Sequence, residues 1–275
     1  MNEIADGVVR FESALWQTSS LLITHDARAI VVDPCISADE LEAIASTAAE
    51  LGARIEAQLV THSDWDHVCG LYRFPAAPAV MSTRAAEDIA SGRTAADVVS
   101  SGAAEGLSWP GSPRADLSFE PGEAIAAGPF TLETMALAGH TWCGAGYRLR
   151  ESGVLAVGDY LSAIEFPFVY VSTAAYRATV TALIELLEHD PPSVVVPGHG
   201  PALSAAEARA IAHDDLAYLR ELKRTVRTAL DDGAEPTEAI ALGAALATPR
   251  GPLGDEGATL RHANAEHQLA ELRTA

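Results

Sequence analysis

Residues 59–70 read Leu59-Val60-Thr61-His62-Ser63-Asp64-Trp65-Asp66-His67-Val68-Cys69-Gly70, and this stretch constrains the chain more than any other. The apolar, β-branched run over 55–61 reads as a buried strand. It ends in four potential metal ligands within six residues. In extended backbone His62 and Asp64 lie two residues apart on one side and can share an ion. Asp66 and His67 are adjacent and should diverge, which suits a second ion beside the first. From Val68 onward the chain can start a helix. Charge packed this densely at the end of a buried strand is tolerable only beside a cation. An isolated His-x-Asp is commonly a surface loop or helix cap, but that reading leaves the four-ligand cluster unexplained. The stretch therefore reads as a dinuclear metal site.

Composition narrows the function classes. At 275 residues, 48% of them hydrophobic, the chain can bury a large core. Its mean hydropathy is +0.11 and its pI about 4.7. A net charge of −20 repels phosphate backbones and disfavours nucleic-acid partners. The one basic run, Arg220-Glu221-Leu222-Lys223-Arg224, reads as a solvated helix face. Three cysteines, Cys35, Cys69 and Cys143, form no paired spacing and so no disulfide framework. The N-terminus lacks a secretion signal, and no apolar run reaches membrane-spanning length. The expectation is a soluble, cytoplasmic protein with a small-molecule substrate, no membrane partner and an oligomeric state left open.

Short strands are expected at 8–16, 20–24 and 29–32, the last closing on Asp33-Pro34. Asp33 either orients a ligand from behind or serves simple turn chemistry. Residues 38–51 suit a helix with Leu41, Ile44 and Leu51 on one face. A strand at 79–82 and a helix at 83–90 follow. The Gly-, Ser-, Ala- and Pro-rich segment 92–117 reads as a loop, either a substrate wall or plain surface. Strands are expected at 117–119, 124–125, 130–137, 146–150, 154–157 and 193–196, and helices at 174–188, 204–232, 237–247 and 259–273. Ser204 and Glu207 make a capping box. Two blocks of strands, each followed by helices, fit two β-sheets faced by helices in one catalytic domain over 1–275, its core at about 8–204 and C-terminal helices from about 204.

Four ordered segments carry a family resemblance. His62-Ser63-Asp64-Trp65-Asp66-His67 is similar to the H-x-H-x-D-H motif of the metallo-β-lactamase-fold superfamily, with Asp64 where the second histidine is usual. Ala138-Gly139-His140-Thr141, Val157-Gly158-Asp159 and Val196-Pro197-Gly198-His199-Gly200 resemble its later metal-binding segments, so the likeness spans about residues 8–204. It implies an α/β fold, a four-layer αββα sandwich, here with additional C-terminal helices. It also implies two divalent metal ions: His62, Asp64 and His140 on the first, Asp66, His67 and His199 on the second, and Asp159 bridging. Such ions sit roughly 3.5–4 Å apart and activate a shared water at neutral pH.

The expected activity is hydrolysis of a small ester, thioester, lactone or amide. Asp66 would pass a proton to the leaving group, and Tyr160 would offer a hydroxyl to an oxyanion or else pack in the core. Zinc is the expected metal, but Asp64 adds charge and a hard oxygen, which shifts preference towards iron or manganese. Flavodiiron reductases in the superfamily carry a glutamate at this position, so a non-hydrolytic diiron oxidoreductase is the alternative; no glycine-rich flavin-binding segment accompanies it here. Cys69 and Cys143 are either thiols behind the ligands or small buried hydrophobes. Trp109, Phe166, Phe168 and Tyr170 hint at an acyl or ring-bearing substrate. The C-terminal segment His262-Ala263-Asn264 either reaches the pocket or lies on a helix surface.

Overall fold

Strands with apolar residues at consecutive positions must bury both faces, and this sets the architecture. In the computed structural model, which describes residues 1–34, 36–251 and 254–274, β1 (Asn2–Ala5), β2 (Val8–Glu12), β3 (Ser19–His25) and β4 (Arg28–Val32) form an antiparallel meander. β5 (Arg54–Leu59), β6 (Ala79–Ser82) and β7 (Leu117–Phe119) extend the same sheet in parallel. Parallel neighbours need crossovers, supplied by α1 (Ala38–Glu50), α2 (Trp65–Val68) with the 3₁₀ turn Cys69–Arg73, and α3 (Thr83–Ala90) with α4 (Arg93–Ala104). A second sheet contains β8 (Ala124–Ala127), β9 (Phe130–Ala136), β10 (Ala145–Leu149), β11 (Val154–Ala156) and β12 (Val194–Val196). Its strands are antiparallel except for the parallel pair β11 and β12.

The chain divides into two compact units. One holds both sheets and α1–α4, over Met1–Ala136, Cys143–Gly158 and Pro192–Ala202. Leu21, Ile23, Ile30 and Val32 point into a core shared with Leu132, Tyr147, Leu149 and Val154 of the second sheet. Their chain neighbours Leu22, Ala29 and Val31 face the other way, onto Leu41, Ile44 and Ala48 of α1. Each fully buried aliphatic side chain contributes about 1.5–3 kcal/mol. The Tyr147 hydroxyl donates to the Val60 carbonyl at 2.6 Å, tying β10 to the chain just beyond β5.

The second unit, Leu137–Trp142, Asp159–Pro191 and Leu203–Ala275, holds α5 (Thr173–His189), α6 (Ala205–Asp231), α7 (Pro236–Ala244) and α8 (Gly254–Thr274). α6, α7 and α8 share a core of Leu222, Val226, Ala239, Ala265 and Leu269. The Ser204–Glu207 capping box starts α6 as expected. The basic run lies on α6 with Leu222 buried and Arg224 bonded to Glu221. Glu271 of α8 accepts from Ser172 Oγ at 2.6 Å and from the Ala174 amide at 3.0 Å, closing the start of α5.

The expected mixed α/β class, with two sheets and C-terminal helices, is observed. Three local expectations are corrected. Residues 92–117 are not one loop: α4 occupies Arg93–Ala104, because Thr94 and Val98 bury one stripe of a segment that otherwise reads as low complexity. Leu51 is 54% exposed and Ala48 takes its place on the buried face of α1, since the helix ends before Leu51. A short β1, too polar to read as a strand, pairs along the edge of β2. Cys35 lies outside the described residues; Cys69 and Cys143 are buried. Among the described residues no helix is long and apolar enough to cross a membrane.

One buried ion pair supports the helical unit. Arg250 pairs with Asp215 of α6 and donates from Nε to the Glu165 carbonyl at 3.0 Å. Burial pushes the Asp215 carboxyl up to about 7 even though Arg250 opposes the shift. Removing one partner of a buried pair strands a charge and costs about 3–5 kcal/mol. Arg250→Met should therefore lower the unfolding free energy by about that amount above pH ~7. A folded-state carboxyl pKa raised above its unfolded value penalises folding only where the unfolded chain is ionised. Below about 7 Asp215 is protonated in folded wild type and variant alike, so the deficit should shrink as pH falls through about 7. Urea melts of wild type and variant across this range measure it, and a deficit that does not vary with pH would mean that lost packing, not charge, is responsible.

Candidate metal centre

The ligand-rich stretch leaves β5 at its C-terminal end. Pairing holds the backbone just beyond the strand, with Val60 N–H donating to Val80 O at 3.0 Å and Ala145 N–H to Thr61 O at 2.7 Å. His62 and Ser63 follow, then Asp64 stands at the N-cap of α2 with extended backbone. Asp66 and His67 thus lie on a first helical turn and not on a strand. Adjacent residues there differ by about 100° in direction instead of 180°. They converge accordingly: Asp66 Oδ2 and His67 Nε2 are 3.3 Å apart. The divergence expected from extended backbone does not occur.

Asp33, at the end of β4, organises this turn. Its Oδ1 accepts the Thr61 amide at 2.7 Å, and its Oδ2 accepts the Thr61 hydroxyl at 2.6 Å. The same Oδ2 lies 3.0 Å from His67 Nδ1. Thr61 Oγ1, having donated its proton to Asp33, accepts from His62 Nδ1 at 3.0 Å. Both imidazoles therefore carry a proton on Nδ1, which leaves Nε2 as the nitrogen available to a cation. Asp33 adopts φ 45°, a left-handed conformation that aspartate tolerates better than most residues. Of its two sequence readings, the structure supports ligand orientation.

His199 joins the same cluster. Its Nδ1 lies 3.1 Å from the Trp16 carbonyl, which fixes the tautomer in the same sense. Its Nε2 lies 3.4 Å from Asp66 Oδ2, and Thr18 Oγ1 donates to that oxygen at 3.3 Å. Trp16 and Gln17 both have positive φ, at 55° and 53°, so the turn that delivers the Trp16 carbonyl is strained. Asp66, His67 and His199 are all buried, each with one ligand atom within 4.8 Å of the others. Two ligands on a tetrahedral ion with bonds of about 2.0–2.1 Å stand about 3.3 Å apart. The separations of 3.3 and 3.4 Å match that edge. Imidazole nitrogen with carboxylate oxygen suits zinc, iron or manganese, so these residues fit a divalent cation. In the same unit His62 Nε2 lies 3.6 Å from Asp64 Oδ2.

The helical unit repeats the arrangement. His140 Nδ1 lies 2.9 Å from the Phe168 carbonyl, and its Nε2 lies 3.3 Å from Asp159 Oδ2. Gly139 is required before it: φ is +128°, and a Cβ there would meet the Tyr176 backbone at 2.3 Å. The Tyr176 hydroxyl donates to the Asp159 carbonyl at 3.2 Å. Tyr160 is buried, and its hydroxyl accepts the His140 amide at 3.1 Å. Burial pushes its phenol pKa well up. Its hydroxyl thus holds the His140 backbone.

Other sequence candidates fall elsewhere. His262 is exposed on α8 and pairs with Glu266 at 3.5 Å. Cys143 Sγ lies 3.4 Å from the Ser63 amide nitrogen, packed behind the motif, and Cys69 shares the same apolar cluster. Trp109 packs its ring on Trp65 and donates to the Ile36 carbonyl at 2.7 Å. Asp97 of α4 was not legible as a site residue. It bonds the Trp65 backbone, and its carboxyl is raised by burial, with Asp64 and Asp66 adding to the shift. An aspartate inside an Ala- and Val-rich helix gives no signal in sequence.

The comparisons with known proteins agree with this geometry. A family model for the metallo-beta-lactamase superfamily matches residues 14–199. No curated protein matches the chain in sequence. Among solved structures, the chain is similar to a metallo-beta-lactamase family protein from Thermus thermophilus, at 19% identity and TM-score 0.68, covering 99% of this chain and 95% of that one. It is also similar to a beta-lactamase domain protein from Burkholderia ambifaria, at 20% identity and TM-score 0.69, covering 99% and 88%. TTHA1623 in a di-iron-bound form matches at 22% identity and TM-score 0.56, covering 73% and 96%. At such identities these likenesses establish the fold. The family model covers well over half of the sequence and includes the motif from His62 to His67 as well as His199. The chain belongs to the metallo-beta-lactamase superfamily.

Proposed function

We propose that the protein is a metal-dependent hydrolase of a small ester, thioester, lactone or amide. One observation carries this reading. Four histidines, His62, His67, His140 and His199, each set Nδ1 against an oxygen acceptor, leaving Nε2 to face a carboxylate oxygen or the cluster. Core histidines kept only for packing have no reason to share one tautomer. Metal ligands do, because an acceptor on the far nitrogen fixes the ring and raises its basicity.

In this reading His62, Asp64 and His140 serve one cation, Asp66, His67 and His199 the other, and Asp159 both. The order of the four motifs supports that assignment. Two divalent cations held there would supply Lewis acidity and bring the pKa of a shared water towards about 7. We assign Asp66 to carry the proton to the leaving group, with the Thr18 hydroxyl orienting its carboxylate. Thr61 and Asp33 keep His62 and His67 in register, and Tyr160 keeps His140 there. A small-molecule substrate is favoured, since a net charge of −20 repels polyanions.

Asp64 supports a second reading, a non-hydrolytic diiron oxidoreductase, because a carboxylate in place of imidazole favours harder metals. TTHA1623 is a fold relative that holds two irons. Metal analysis of protein purified without added metal separates the readings. Two zinc or manganese per chain support hydrolysis, and esterase, thioesterase and lactonase activity should then vanish on chelation and return with metal. Two irons with oxygen consumption would favour the alternative, and no metal after reconstitution would defeat both. Asp159→Ala should cost both metal equivalents; full retention would remove the bridging role. Asp64→His should move selectivity towards zinc, and unchanged selectivity in competition titrations would take Asp64 out of the ligand set.

A further inference from the structure

We infer that Asn264, on the C-terminal helix α8, is a positioning residue for His140. The inference rests on the reading of His140 as a metal ligand. Asn264 is fully enclosed, and both ends of its carboxamide are used. Oδ1 accepts the Val169 amide at 2.9 Å, while Nδ2 donates to the Pro167 carbonyl at 2.8 Å and to the Tyr218 hydroxyl at 3.2 Å. The two backbone groups it holds flank Phe168. Phe168 supplies the carbonyl that accepts from His140 Nδ1 at 2.9 Å.

The rest of the loop is locked to the same ligand. Tyr170 N–H donates to the His140 carbonyl at 3.1 Å, and the Tyr170 ring lies 4.8 Å from the imidazole. Upstream, Phe166 N–H donates to the Gly251 carbonyl at 2.9 Å, and Arg250 holds the Glu165 carbonyl at 3.0 Å. A proline at 167 fixes φ there and has no N–H to donate, and the groups that Asn264 holds are its carbonyl and the Val169 amide. A carboxamide matches that donor–acceptor pair. A carboxylate matches only half of it, and an aliphatic side chain neither. The direction of the Phe168 carbonyl, and with it the His140 ring and the aim of Nε2 at Asp159, is therefore set from α8. The C-terminal helix acts on the metal site through a backbone carbonyl without touching a ligand.

The test is cobalt(II) titration of metal-free full-length protein, followed by visible absorption. Wild type should take two equivalents. Asn264→Leu, which keeps the volume but neither hydrogen bond, should weaken one equivalent by about 10–100-fold and leave the other, the usual scale for partners behind a ligand. Asn264→Asp, which keeps the acceptor, should weaken the same equivalent and carries the comparison if the leucine variant does not fold. Leu269→Ala, in the core of the same helix, is the control: it should lower the melting temperature without separating the two affinities. In metal-free protein, the imidazole nitrogen resonances of His140 should show the Nδ1–H tautomer in wild type and a tautomer mixture in the variants. Two wild-type affinities in both Asn264 variants would overturn the inference, as would equal selective weakening in Leu269→Ala. Wild type that takes no cobalt would overturn the ligand assignment and this inference with it.

Discussion

A single carboxylate, Asp33, joins the end of one strand to the start of the ligand-rich turn that follows β5. It receives the Thr61 amide, the Thr61 hydroxyl and His67 Nδ1 at 2.6–3.0 Å. Hydrogen bonds to a buried anion are worth more than neutral ones, about 1.5–3 kcal/mol each. Through Thr61 it also settles the proton of His62. The parallel pairing of β4 with β5 brings the two strand ends level, with Val32 opposite Leu59. Sheet register, strained backbone and ligand tautomer are thus parts of one constraint. Lengthening either strand by a residue would rotate Asp33 or Thr61 to the opposite face.

The helical unit solves the same problem with different chemistry. His140 is oriented by a neutral backbone carbonyl, and that carbonyl is held by a loop tied down from α8. A carboxylate acceptor raises imidazole basicity more than a carbonyl does. His67, backed by Asp33, is therefore the stronger donor, and His140 the weaker and more adjustable one. Asp64 adds a further asymmetry by replacing an imidazole with a partly exposed carboxylate. The residues assigned to the two cations thus differ in charge and in the acceptors that support them, which favours unequal affinities.

The candidate ligands were legible in the sequence because metal binding demands residue types that packing alone does not supply. His62, Asp64, Asp66 and His67 stand in one short run, and Gly139 and Gly158 precede His140 and Asp159 where the Tyr176 backbone and the Thr61 side chain leave little room for a Cβ. Most strand and helix positions followed from periodicity. What escaped depends on three-dimensional context. The angle between Asp66 and His67 turned on whether the backbone there was strand or helix, and four helical residues are too few to show a period. α4 was masked by small residues. Asp33 could not be told from a turn residue until Thr61 and His67 were seen against it. Asn264 carries no motif, because it recognises backbone groups.

The electrostatics of the Asp66, His67 and His199 cluster suit it to a cation. With Nδ1 protonated and donating outward, each neutral imidazole turns a lone pair inward. Two such lone pairs stand 3.3 and 3.4 Å from one oxygen of Asp66. Lone pair against carboxylate is repulsive, and burial removes the water that would screen it. Positive charge must enter, either as a proton on each ring or as a metal ion between them. A proton on Nε2 would make the ring an imidazolium buried beside the other ring's charge, whereas one divalent cation satisfies both nitrogens and the oxygen together. Asp97, its carboxyl raised by burial with Asp64 and Asp66 adding to the shift, faces the same region. A metal ion held here would therefore compete with protonation, and it would draw its affinity from the same buried repulsion that folding the surrounding sheets imposes.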